Sequence, residues 1–316
     1  MLVRIVKDWH APDLFRQTPG YSRMWEGIEF TESNNSQCDL LVVLNAPRKN
    51  LLLKVSPEAR WLFSQESPIE LYKWHIRSFR YFSRVYTFWD KRYSPDIIHS
   101  QTALPWHINK SYDELLHLTK TEAVSNKKKT LSWITSDAKD KDGHILRMSF
   151  KDFLLQENMN FDLWGRGFTP IDDKFDGLYP YKYSIAIENH SCNDYWTEKI
   201  TDCFLSWTVP VYYGAKNITK YFPEKSMILI DPNDRKKSLS IIQDAIENNL
   251  FEEKVNYIEE ARDLILNKYQ FFPFVTQLIR DSNIDFSNKK WCLIPKNNCP
   301  KPSLSKRLSR MVQSKK

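Results

Sequence analysis

The sequence predicts an α/β protein built from two doubly wound units, on three observations. Continuous apolar runs bounded by polar residues recur along the chain, as parallel strands buried on both faces require. Segments of helical periodicity separate these runs, and strands alternating with helices imply parallel sheets with crossover connections. The chain has 316 residues, enough for one large or two ordinary domains, and the alternation falls into two series. Ligands of such sheets bind beyond the carboxyl ends of the strands, so two units of this kind are expected to face one another.

The first series opens on Met1-Leu-Val-Arg-Ile-Val-Lys7, a strand-like stretch interrupted by charge. Asp39-Leu-Leu-Val-Val-Leu-Asn45 is the clearest buried strand, and Leu51–Val55, Arg60–Phe63 and Arg84–Phe88 are shorter candidates. Ile69, Tyr72, Ile76 and Phe79 follow helical spacing behind Pro68, a residue suited to a first turn. The polar stretch 110–129, ending in Lys127-Lys-Lys129, marks the junction. It divides the chain into a first unit over 1–125, a second over 126–285 and a basic tail over 286–316. In the second unit, strands are expected at Leu131–Thr135, Phe161–Trp164, Tyr183–Ile187, Val209–Tyr213 and Met227–Ile230. Helices are expected at Leu146–Gln156, Glu198–Trp207, Ser238–Asn248 and Glu252–Leu266.

Composition narrows the class. Eleven Trp, 15 Tyr and 18 Phe supply a large core, which excludes disorder for most of the chain. No apolar run nears the roughly 18 residues of a membrane span, and the opening residues lack the form of a secretory leader. A cytoplasmic location is therefore expected. With seven Gly in all, a Gly-rich phosphate loop is not the expected nucleotide device. Five scattered Cys without a CxxC pair argue against a zinc site or a disulfide framework. The net charge of +7 is a local property. Residues 286–316 hold nine Lys or Arg and no acid, leaving 37 basic against 39 acidic residues elsewhere. Ser303–Val312 can form a short basic amphipathic helix, which suits peripheral contact with the inner face of an anionic membrane as well as it suits a solubilising tail.

The rule for strand ends selects Asn45, the Ser64-Gln65-Glu66 segment, Thr135-Ser136, Gly165-Arg166-Gly167, Glu188-Asn189 and Gly214. The densest cluster is Glu188-Asn-His-Ser-Cys-Asn-Asp-Tyr-Trp-Thr-Glu-Lys199, a polar loop between a buried strand and a helix. It carries carboxylates for hydroxyls, an ammonium for phosphate and rings for stacking, the parts a nucleotide sugar needs. A helix start just beyond it adds backbone donors for a diphosphate. Read alone, the loop fits a solvated connection capped by Thr197 equally well.

Its wording is more specific than its composition. Tyr181-Lys-Tyr-Ser-Ile-Ala-Ile-Glu-Asn-His-Ser191, then Asp194-Tyr-Trp-Thr-Glu-Lys199, then Val209-Pro-Val-Tyr-Tyr-Gly-Ala215 resembles the signature of glycosyltransferase family 10. That family, the α1,3/α1,4-fucosyltransferases, reads YKF-x-x-x-FENS, DYVTEK and VPV-x-x-G. Tyr221–Ser226, Ser132–Ser136 with Arg147 and Phe150, and Arg60-Trp-Leu-Phe-Ser-Gln-Glu-Ser-Pro68 resemble further family segments, the last in bacterial members. The resemblance implies a GT-B architecture, two Rossmann-like domains facing a central cleft with the donor in the C-terminal one. It implies inverting transfer of fucose from GDP-fucose to a hydroxyl of an oligosaccharide or polysaccharide acceptor.

The same resemblance gives roles. Glu66 would be the base that takes the acceptor proton, while Arg147 and Lys199 would offset charge on the departing diphosphate without an essential metal. Glu198 would accept hydrogen bonds from ribose or sugar hydroxyls, Glu188, Asn189 and Tyr195 would complete the donor pocket, and Arg166 would meet phosphate or pair with an acid. No cofactor is required beyond the donor substrate. Two departures bear on the donor: His190 stands where the family has Ser, and Trp196 replaces the usual Val, placing an indole beside the donor loop. The rival readings are a transferase for another nucleotide sugar and, from a different class, a basic nucleic-acid binder. The second lacks the known motifs and has its acids and bases mixed through both units, so no nucleic-acid partner is expected.

Overall fold

The computed structural model describes residues 1–298; the amphipathic segment 303–312 and Cys299 lie outside the described residues. In chain order the strands are β1 (Leu2–Lys7), β2 (Met24–Trp25), β3 (Ile28–Thr31), β4 (Leu40–Leu44), β5 (Leu51–Val55), β6 (Arg60–Phe63), β7 (Arg84–Thr87) and β8 (Ile97–His99). They continue with β9 (Lys129–Ile134), β10 (Asp162–Trp164), β11 (Tyr181–Ile187), β12 (Val209–Tyr213), β13 (Ile228–Leu229) and β14 (Lys290–Ile294). The α-helices are α1 (Tyr112–His117), α2 (Lys120–Ser125), α3 (Asp142–Gln156), α4 (Glu198–Leu205), α5 (Arg235–Glu247), α6 (Phe251–Leu264) and α7 (Phe271–Arg280).

Two sheets organise the molecule. The first has the order β2-β3-β1-β4-β6-β7-β8 and is parallel except for the β2–β3 edge. The second, β10-β9-β11-β12-β13, is parallel throughout. Every residue of β4 is buried, as its apolar run requires of a strand covered on both faces. The charged interruption in β1 is Arg4, which is buried and satisfied by the Asn34 side chain and the Asn35 carbonyl. Among the described residues no helix is long and apolar enough to cross a membrane. Four of the cysteines, Cys38, Cys192, Cys203 and Cys292, are free thiols.

Three elements differ from the sequence reading. Residues Glu70–Tyr81 wind as a 3₁₀ helix rather than an α-helix. The tighter winding turns Trp74, His75, Ser78 and Phe79 inward. β5 does not join the parallel sheet; it pairs antiparallel with β14, from Leu51 opposite Ile294 to Val55 opposite Lys290. The described part of the expected tail is thus a structured strap. Lys289 pairs with Asp39, and the Asn297 amide donates to the carbonyls of Trp74 and His75. Finally, α7 falls within the span assigned to the second unit but packs on the first. Phe271 and Phe272 stack edge-on against Phe30, and Phe271 also meets Phe63. The Gln270 side chain caps α7 and donates to the Gln17 carbonyl.

Candidate active site

The strand ends of both sheets open on a cleft of about 910 Å³. From the second sheet it takes Thr135 and Ser136 after β9, Gly165 and Arg166 after β10 and Asn189 after β11. Helix α3 adds His144 and Arg147, and the first turn of α4 adds Glu198 and Lys199. The first unit closes the other wall with Asp13, Arg16 and Tyr21, and His107 of the connecting segment lies between. Gly143 is needed here: a Cβ at that position would collide with the Asn189 carbonyl, so α3 starts in contact with the loop that follows β11.

The charged groups form one network. Glu188, fully buried, accepts from the Thr197 amide and hydroxyl at 2.8 Å and pairs with Lys199 at 3.2 Å. Both carboxylate oxygens are engaged inside the protein, so Glu188 acts by holding Lys199 and the Thr197 cap rather than by meeting a ligand. Lys199 also pairs with Glu198 at 3.3 Å, and Glu198 is reached by Lys174 at 3.5 Å and His107 at 3.9 Å. Burial opposes ionisation of Glu198, but Lys199, Lys174 and His107 hold its carboxyl well below the usual carboxylate range. Burial likewise works against the Lys199 ammonium, and Glu188 with Glu198 outweighs it, raising its pKa. Asp202 anchors the connecting segment by accepting from the His107 amide at 2.7 Å and the Ile108 amide at 3.3 Å.

Arg147 differs from these cations. It is buried, its pKa is lowered by desolvation, and its Nε has no hydrogen-bond partner among the described residues. The buried Thr135 hydroxyl and the Asn189 side-chain oxygen are also unpartnered. Three open polar groups converging on one cleft are what a polar ligand would satisfy. Arg166 is exposed at the rim and makes no ion pair among the described residues, so of its two expected roles pairing with an acid is not the one seen.

Glu66 belongs to the first unit, just beyond β6, and is not among the residues that line this cleft. Burial pushes its carboxyl up, a hydrogen bond from Tyr72 and the charge of Lys141 pull it down, and Asp8 and Glu198 push it up again. Tyr195 lies amid Glu188, Glu198 and Glu66, which all raise its hydroxyl further after burial. Its buried ring meets Phe88 of the first unit edge-on at 4.8 Å, making it a packed joint between the units rather than a lining group of the cleft. Trp196, expected beside the donor, faces the other way. It is 3% exposed and packs against Tyr221, Phe222 and Tyr269 in the core, so its bulk does not enter the cleft. Sequence reasoning missed His107, Lys174, Tyr72 and Lys141. His107 lies in a loop and Lys174 opens a short 3₁₀ turn, and nothing in their neighbours marks them.

With this geometry in view, relatives can be placed. Residues 124–257 match the model of Glycosyltransferase family 10 (fucosyltransferase) C-term. Over that segment the chain is similar to the family 10 glycosyltransferase C-terminal domain. The segment contains every donor-side group described above except those of the first unit. The chain is 28% identical over 237 residues to GDP-fucose protein O-fucosyltransferase 3 of Danio rerio, covering 67% of this chain and 48% of that one. It is 27% identical over 237 residues to 3-galactosyl-N-acetylglucosaminide 4-alpha-L-fucosyltransferase FUT3 of Bos taurus, covering 69% and 61%. The chain therefore spans about half the length of the curated relatives it matches. Among solved structures it resembles an alpha1,3-fucosyltransferase (TM-score 0.51, 15% identity, 86% of this chain and 90% of that one). It also resembles an alpha-glucosyltransferase solved with UDP and DNA (TM-score 0.54, 12% identity, 89% and 98%). At those identities the likeness is one of fold: the two units make a GT-B pair.

Proposed function

We propose that the protein transfers fucose, with inversion, from GDP-fucose to a hydroxyl of a glycan acceptor. The observation that carries this reading is Arg147, a buried cation with an unpartnered Nε, beside the ammonium of Lys199 at the mouth of the second sheet. Two cations converging there suit a diphosphate, whose negative charge grows as it departs. The fucosyl part rests on the likeness to the family 10 domain and on relatives named for GDP-fucose and fucosyl transfer. Those relatives differ in acceptor, one being named for protein and the other for a galactosyl-N-acetylglucosaminide, so the acceptor wall of the first unit decides between them.

Glu66 would accept the acceptor proton as the acceptor oxygen bonds the anomeric carbon. The bond from that carbon to the β-phosphate oxygen breaks on the opposite side, and GDP leaves against Arg147 and Lys199. A carboxylate suits the task because the hydroxyl turns acidic only as its new bond forms. Glu198, held ionised chiefly by Lys199 and Lys174, would accept from ribose or sugar hydroxyls, and Asn189 and Thr135 would fill their open hydrogen bonds on the donor. These cations would do the neutralising, with no essential metal. We propose a cytoplasmic protein whose basic end touches anionic membrane near the acceptor.

The test is a panel of GDP-fucose, GDP-mannose and UDP-glucose scored by thermal stabilisation and by release of nucleotide. GDP-fucose is expected to stabilise and to be turned over. Stabilisation by another donor and none by GDP-fucose defeats the fucosyl reading in favour of a different nucleotide sugar.

A further inference from the structure

The ribbon formed by β5 and β14 has an outer face that the reaction does not use. Side chains alternate along both strands, so one set faces the first unit and the other faces solvent. Leu51, Leu53, Val55 and Ile294 are buried inward. Leu52, Trp291 and Leu293 stand outward, exposed by 63%, 62% and 56%. Leu52 lies opposite Leu293 in the register and Lys54 lies opposite Trp291, so the three apolar side chains share one face. Single exposed apolar residues are ordinary; three adjoining ones mark a contact surface.

The ribbon is tied down at its open end. Beyond β14, the Asn297 amide N–H donates to the Pro47 carbonyl and its side chain to the carbonyls of Trp74 and His75. The Lys296 amide donates to the Asn50 side chain. The first unit therefore presents this face in a fixed form.

The charge around the patch selects what covers it. Lys54 opposite Trp291, Lys290 before it in sequence and Lys296 past the end of β14 make no ion pair among the described residues. Residues 286–316 hold no acid, and six further Lys or Arg follow residue 298. A second copy of this face would set like charges against one another, which disfavours a symmetric dimer. An anionic surface with an apolar interior answers both parts of the patch. Headgroups meet the lysines, acyl chains meet the leucines, and the indole suits the boundary between them.

We propose that the outer face of the β5–β14 ribbon is a peripheral docking surface for anionic phospholipid. Trp291, Leu293 and Leu52 enter the interface, and Lys54, Lys290 and Lys296 meet the headgroups. This deepens the reading of a membrane-facing basic end, moving the contact from the tail alone to a folded part of the first unit. The docking needs neither donor nor acceptor; only its use in the reaction, bringing the acceptor unit to the membrane, rests on the proposed transfer.

The test is co-sedimentation of the full chain with vesicles of phosphatidylcholine alone and of phosphatidylcholine mixed with phosphatidylserine. The parent protein is expected to bind the mixed vesicles and to be released by added salt. Trp291→Ser combined with Leu293→Ser should weaken that binding by about tenfold or more, because it takes apolar area out of the interface. Lys54→Gln combined with Lys290→Gln should weaken it by about thirtyfold, about fivefold for each lysine. The substituted side chains lie on the outer face, so an unfolding midpoint near the parent value checks that the fold is intact. Arg307→Gln combined with Arg310→Gln leaves the ribbon as it is and reports on the tail. Parent-like binding in both ribbon variants, with loss only in the tail variant, leaves the tail reading standing and overturns this one. Equal binding to the two vesicle types overturns it too, as does a parent protein that binds neither, or ribbon substitutions that change only the oligomeric state.

Discussion

The two walls of the cleft are built differently. The donor wall is a closed ionic lattice: Glu188, Glu198 and Asp202 against Lys199 and Lys174, with Arg147 left open at its centre. The acceptor side continues beyond the lining of that cleft, at the ends of β1, β4 and β6, where Glu66 and Asp8 stand among Tyr72, Asn45 and Arg48 and Asp8 is bonded to Asn45 and Arg48. A diphosphate is the same in every turnover and rewards a fixed counter-charge. A sugar hydroxyl is neutral until it reacts, so the wall that receives it needs one well-placed carboxylate and leaves the rest free to vary. The contrast predicts that damage to the donor wall will show in binding and stability, and damage to the carboxylate of the acceptor wall in chemistry.

The largest effect should come from Glu66→Gln. It keeps shape and removes the base, so kcat should fall by about 10²–10⁴-fold while the donor KM stays close to the parent value. Steady-state kinetics with saturating acceptor measures both. A rise in donor KM that matches the fall in kcat/KM would place Glu66 on the donor wall and dissolve the distinction.

Glu188→Gln probes the opposite wall at a residue no ligand reaches. Taking the charge from a fully buried carboxylate leaves Lys199 short of its nearest acid, and breaking a buried pair costs about 3–5 kcal/mol. Urea unfolding should show that loss, with donor affinity falling alongside because Lys199 is no longer held. Undiminished stability with weakened binding would mean that Glu188 serves the ligand and not the lattice.

Acid should separate the units as well. His75, in the 3₁₀ segment of the first unit, is buried with an unpartnered Nδ1, and burial lowers its pKa to about 4, with Arg48 adding to the fall. The unfolded chain, with its imidazole near 6.5, takes up the proton first as pH drops. His75 therefore adds stability in full above about pH 6.5 and loses it between about 6.5 and 4, by about 3 kcal/mol over the whole window. Denaturation midpoints at pH 7 and pH 5 should diverge in the parent protein and converge in His75→Phe. A slope that survives the substitution would assign the acid sensitivity to another group.

Much of the second unit was legible because its strands, Tyr181–Ile187 and Val209–Tyr213, are almost wholly buried and mostly apolar, and because Glu188, Glu198, Lys199 and Asp202 of its charged lattice lie within one short loop and the helix after it. The first unit hid more. Arg4 sits inside a central strand, β5 waits for a partner strand from the far end of the chain, and aromatic residues at helical spacing wind as 3₁₀ instead of α. The site groups that escaped notice are joined by space alone: Tyr72 and Lys141 meet between the two units, as Lys174 meets Glu198 from a separate 3₁₀ turn. Trp196 shows the converse error, where adjacency in sequence to Glu198 suggested adjacency to the donor. Trp196 lies just before the N-cap Thr197 of α4, and its indole goes to the core while Glu198 faces the cleft.

The smallest effect should come from the rim. Arg166 is exposed and makes no ion pair among the described residues, so its pull on a bound diphosphate acts through water. At about 4 Å that attraction is worth roughly 1 kcal/mol in bulk solvent, and salt shortens its range to about 10 Å at 0.1 M. Arg166→Ala should therefore raise the donor KM no more than about fivefold at low ionic strength, and the difference should fade as salt is added. Arg147, buried beside Glu188 and Glu198, is shielded from that screening, and the cost of Arg147→Ala should persist at any salt. Donor KM measured for both variants across a salt series tells the two positions apart. Equal salt dependence would mean that the diphosphate lies along the exposed loop after β10, and that the buried cation of α3 supports the lattice without meeting the donor.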